Sequence, residues 1–64
     1  MRWASPDGVW RAAVYERDGE LRFEIHRHDG PVRSGRLTIL RAHEELDAVL
    51  ADLGGPTLAE MVEM

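Results

Sequence analysis

Cysteine is absent from the 64 residues, so neither disulfide staples nor thiolate metal sites are available to the chain. Without those supports of a small secreted fold, a cytoplasmic home is expected. Lysine, asparagine and glutamine are missing too, while arginine, alanine, glycine and aspartate are plentiful, the mix a GC-rich gene encodes. No apolar run approaches the roughly 20 residues that a membrane helix needs, and no charged-then-apolar leader opens the chain. Nucleophiles are scarce as well: the only serines are Ser5 and Ser34. A chain this short has little room for a substrate cleft of several hundred Å³, so a non-catalytic protein without a cofactor is expected.

Arginine is also absent beyond residue 41. Residues 1–41 hold all eight arginines against six acids, and residues 42–64 hold six acids and no arginine, so the halves carry +2 and −6. One half is mildly basic and the other acidic. At this length there is one domain, marginally stable alone, and a homodimer that extends the core is expected.

Two Asp-Gly pairs, Asp18-Gly19 and Asp29-Gly30, mark hairpin turns. With Asp18-Gly19 as a two-residue turn, Arg17 faces Glu20, Val14 faces Phe23, Ala12 faces Ile25 and Trp10 faces Arg27. Trp10, Ala12, Val14, Leu21, Phe23 and Ile25 then share one face. Arg11, Ala13, Tyr15, Arg22, Glu24, His26 and His28 occupy the other. A third strand is read either from Pro31 to Leu37, with Asp29-Gly30 as a tight turn that sets Val32 opposite Arg27, or from Arg36 to Leu40 after a longer loop. In the first reading Thr38 caps a helix beginning at Ile39.

The segment "HEELDAVLADLGG" is the clearest helix, with Leu46, Val49, Leu50 and Leu53 three and four apart and Gly54-Gly55 suited to its stop. Thr57 and Glu60 have capping-box spacing and open a short turn, from which Leu58, Met61 and Val62 fold back onto the core. Residues 1–8, "MRWASPDG", read as an N-terminal arm before a single domain over 9–64. The predicted class is α+β: a three-stranded antiparallel meander, one α-helix on one face, and a short C-terminal helical turn. Its other sheet face is left uncovered, and function is expected there.

His26 and His28 share a strand face beside Asp29, a pairing able to hold a transition metal. His43 is expected across the sheet and Arg11 is the neighbour of His26, so no metal is assigned. "GPVRSGRLT" has the glycine spacing of a phosphate loop but places Arg36 and Leu37 where lysine and Ser/Thr belong. Arg11, Tyr15, Arg22, His26 and His28 are the expected partner-binding residues, with Arg17 or Arg33 in support.

Three strands followed by a helix is similar, in element order alone, to the DNA-binding domains at the amino terminus of some tyrosine integrases. That resemblance implies nucleic-acid recognition by the sheet face. An uncovered face with Tyr15, Val9 and Ala13, a free edge strand, and aromatics at the entrance suit a protein partner. The expectation is a regulatory or adaptor module that binds protein, with DNA or RNA binding as the alternative.

Overall fold

The computed structural model describes all 64 residues apart from the side chain of Pro31. The chain runs β1 (Arg2–Ala4), β2 (Trp10–Arg17), β3 (Glu20–Arg27), β4 (Gly30–Leu37), α1 (Ala42–Asp52) and β5 (Val62–Glu63), with 3₁₀ turns at Ile39–Arg41 and Leu58–Glu60. The class is α+β, with one helix, and the sheet has five antiparallel strands in the order β4-β3-β2-β1-β5. The expected three-stranded meander is its β2-β3-β4 part.

The two additional strands come from the ends of the chain. Residues expected as an arm form β1, because Ser5-Pro6-Asp7-Gly8 is a turn, with proline and glycine where a type I turn favours them. The Gly8 N–H donates to the Ser5 carbonyl at 2.9 Å, and Gly8 takes φ +76°. Buried Ser5 closes the loop: its hydroxyl accepts the Trp10 N–H at 2.9 Å, and the Asp7 carboxylate accepts that of Val9 at 3.0 Å. Trp3 thereby reaches the core, opposite Ala12. β5 then pairs antiparallel with the far side of β1.

The first Asp-Gly turn forms as expected. Asp18 and Gly19 adopt φ +53° and +76°, and every cross-strand pair from Trp10–Arg27 to Arg17–Glu20 matches the sequence register. The second hairpin differs. Its turn is His28-Asp29, with Gly30 already in the ladder opposite Arg27, and a bulge beside Ile25 and His26 shifts the register so that Arg33 faces Ile25. Gly30 alone supplies a positive φ, +130°, so Asp29 stays in ordinary backbone space. Val32 is consequently not opposite Arg27. Bulges of this kind also blunt an edge strand.

Phe23, Ile25, Ala12, Val14, Trp3 and Leu37 form the sheet side of the core, closed by Leu46 and Leu50 of α1 and by Met61. Leu46 and Leu50 are fully buried, four residues apart on one face of the helix. Helix α1 stops where the glycines allow: Gly54 takes φ +77°, and the N–H groups of Gly54 and Gly55 donate to the carbonyls of Ala51 and Leu50 at 3.1 and 2.8 Å. This is the Schellman arrangement. At the other end Thr38 does not cap the turn after it; its N–H and hydroxyl both donate to the Glu45 carboxylate, at 2.6 and 3.1 Å.

Thr57 and Glu60 form their capping pair, with the Thr57 N–H donating to Glu60 Oε1 at 2.9 Å. Leu58 anchors this turn to α1 through an N–H donated to Asp47 Oδ1 at 2.7 Å. Met61 is buried, whereas Val62 does not fold onto the core. It lies opposite Ala4 on the uncovered face of the sheet.

Candidate functional site

Strand alternation and register fix the uncovered face as a grid. One row reads Val62, Ala4, Arg11, His26 across β5, β1, β2 and β3. The next reads Arg2, Ala13, Glu24, Ser34 from β1 to β4, with Met64 beside Arg2 through an N–H donated to its carbonyl at 2.8 Å. Below them lie Tyr15, Arg22 and Arg36, then Arg17 and Glu20.

Ala13 is short and its neighbours are long, so the centre of the grid is a depression of about 450 Å³. Arg2, Arg11, Glu24, His26, His28 and Met64 stand around it. Of the expected contact residues, the structure brings Arg11, His26 and His28 together at this depression. Tyr15 and Arg22 lie on the same face but outside it. Arg2 and Met64 are new members of the surface. The signal for Arg2 was the Pro-Asp-Gly turn, which makes a strand of what precedes it, whereas Met64 arrives only with β5.

The charges are sorted by face. Five arginines (Arg2, Arg11, Arg17, Arg22, Arg36) and two acids (Glu20, Glu24) occupy the open face, a balance of +3. The rest of the molecule holds three arginines and ten acids, a balance of −7. Arg33 belongs to that remainder: facing Ile25 on the helix side, it pairs with Asp52 at 3.1 Å.

Ion pairing divides the open-face arginines into two groups. Glu20 takes both Arg22, at 3.0 Å, and Arg36, at 3.6 Å. Glu24 lies 3.5 Å from Nε2 of His26. Among the described residues Arg2, Arg11 and Arg17 have no acid within ion-pair reach, and Arg22 Nε is buried without a hydrogen-bond partner. Guanidinium groups left in this state are ready to take an external carboxylate or phosphoryl oxygen.

At the hairpin tip, Asp29 is held below the usual aspartate range chiefly by its own backbone N–H, with desolvation opposing and the Arg27 guanidinium 3.7 Å away adding to the lowering. It thus stays anionic beside His28. His43 lies across the sheet, edge-on to Trp3 with ring centres 5.7 Å apart. Among the described residues no three histidine or acidic side chains converge as metal ligands, and no helix is long and apolar enough to cross a membrane.

A second surface lies on the helix side. Ile39 and Leu40 are 72% and 93% exposed and border a groove of about 360 Å³ with Met1, Val14 and Leu21. The short 3₁₀ turn lifts both side chains off the core, since its three residues are too few to lay an apolar stripe on the sheet.

No protein-family model matches the chain, and no curated protein or solved structure matches it.

Proposed function

We propose that this chain is a small, non-catalytic binding module that docks an acidic protein surface through the open face of its sheet, in a regulatory or adaptor role. The sorting of charge, +3 on that face and −7 elsewhere, carries the reading. Apolar side chains are interleaved with the arginines: Tyr15, Ala13, Ala4, Val62 and Met64 supply contact area between charged groups. Arginine and tyrosine side by side are the composition favoured at interface centres.

The reading is tested by affinity capture from the source cell with the wild-type chain, Tyr15→Ala, and the double variant Arg11→Glu with Arg22→Glu. Loss of the same partner by both variants, with amide spectra that remain dispersed, supports the sheet face. Equal capture by all three chains overturns it, and the acidic helix becomes the docking surface.

Nucleic acid is the second reading, favoured by Arg2, Arg11 and Arg17, which share a face with Tyr15 and have no acid within ion-pair reach among the described residues. Its test is an amide titration with a short DNA duplex at low and then moderate salt. Phosphate-backbone binding weakens steeply with added salt, whereas an interface with an apolar centre does not. Exposed Ile39 and Leu40 support self-association at a separate surface.

A further inference from the structure

We infer that the depression at the centre of the open face is a site for one phosphoryl group, carried on a phosphorylated side chain of the docked protein. The inference rests on the docking reading and names what that surface recognises. Its floor is Ala13, and Arg2 and Arg11 line it from adjacent strands. Each guanidinium lacks an acid within ion-pair reach among the described residues. Planar guanidinium groups donate paired N–H bonds to phosphoryl oxygens, and two of them match the charge of a phosphomonoester dianion.

Among the described residues Glu24 is the acid at the rim. Its carboxylate lies 3.5 Å from Nε2 of His26, an ion pair only while that imidazole is protonated. His28 stands at the rim on the exposed hairpin tip, where it can donate to a third oxygen. Gly8 and Gly30 also border the opening, and the space a Cβ would fill at either is empty to 4 Å. The mouth is therefore open to a group presented on another surface.

The same charge map separates a single phosphoryl from a polyanion. A nucleic-acid backbone needs a continuous line of free cations. Here Arg22 and Arg36 are both held by Glu20, and Glu24 interrupts the face between them and Arg11. What remains free beside the depression is a pair of arginines, sized for one dianion.

Amide titrations of the labelled full chain test this with five probes: inorganic phosphate, a phosphoserine peptide, its unphosphorylated form, a mononucleotide and a short DNA duplex. Phosphate and phosphopeptide are expected to shift the amides of Arg2, Arg11, Ala13 and His26, with the phosphopeptide tighter and its unphosphorylated form silent. Arg2→Ala and Arg11→Ala should each weaken binding roughly tenfold or more, while Arg33→Ala leaves it unchanged. Glu24→Gln, which removes the rim acid without removing a cation, should tighten it and keeps the test sound if an arginine variant fails to fold.

Silence with phosphate and phosphopeptide alike overturns the inference. So does tighter binding of the mononucleotide than of the phosphopeptide, or tighter binding of the duplex with shifts spread to Arg17 and Arg36. The two readings fail separately: a Tyr15→Ala chain that loses its partner while phosphate is silent sinks only the phosphoryl site. A phosphate-binding chain whose partner is captured equally by the wild type, Tyr15→Ala and the Arg11→Glu, Arg22→Glu double variant sinks only the docking surface.

Discussion

Gly35 stands directly opposite Phe23 on the buried face of the sheet, and the Phe23 ring occupies the place its side chain would take. A Cβ at position 35 would lie 3.0 Å from Cε1 and 3.3 Å from Cζ of that ring. The glycine is there for the ring, not for a turn. Gly35→Ala should cost about 1–3 kcal/mol through overpacking, measured by urea denaturation. A loss below about 0.5 kcal/mol would mean that Phe23 is free to move aside.

Leu50 is fully buried between the helix and the sheet. Leu50→Ala should remove about 2–5 kcal/mol, a large share of what a domain this small has. Circular dichroism at room temperature should then show a substantially unfolded population, whereas Ala51→Ser, on the exposed side of the same helix, should leave the melting curve nearly unchanged.

Two carboxylates are held below their usual range by contacts within their own loops. Asp7 is held below the usual range chiefly by the Ser5 hydroxyl and then by the Val9 N–H. Glu60 is held low by the N–H and then the hydroxyl of Thr57. A lowered folded-state pKa means the charged form favours folding: the contribution is complete above the ordinary carboxylate range and disappears as pH falls through the lowered values. Melting temperature should accordingly fall below about pH 5. The double variant Asp7→Asn, Glu60→Gln should be less stable at neutral pH and show a flatter profile in acid, and an unchanged slope would count against both contacts.

Tyr15 and Arg11 lie on the uncovered face with their side chains outside the core. Tyr15→Ala and Arg11→Glu should change unfolding free energy by about 0.5 kcal/mol or less while weakening partner binding. A large stability loss would identify them as structural residues and withdraw them from the interface.

Leu40, at 93% exposure, has no packing role to lose. If the apolar end of the molecule associates with a second copy, Leu40→Glu should shift the sedimentation profile toward monomer without changing the melting temperature. An identical profile for both chains removes that surface from consideration.

The middle of the fold was legible because its signals are local and agree with one another. Asp18-Gly19 demands positive φ, and the apolar alternation on both sides permits one register, so β2 and β3 follow residue by residue. The stop of α1 at Gly54-Gly55 is equally local. What the sequence concealed depends on distant pairing: β5 is two residues long and exists because β1 offers it an edge. The second turn sits at His28-Asp29, with Gly30 and not Asp29 at positive φ, and the bulge beside His26 inserts a residue that no local signal marks. Arg11, His26 and His28 were readable as neighbours from strand alternation, but Arg2 entered the group only when β1 docked beside β2.

The sorted charge would also govern how the molecule approaches the acidic surface proposed for it. An isoelectric point near 5.2 describes an average. A body with +3 on one face and −7 over the rest is an electric dipole, and an acidic surface would exert a torque on it before contact. On the proposed docking, that torque would turn the sheet to the front within the Debye length of about 8–10 Å. On that reading the salt dependence falls on the encounter rate and stays shallow, because the −7 carried by the rest of the molecule opposes the approach that the sheet's +3 favours.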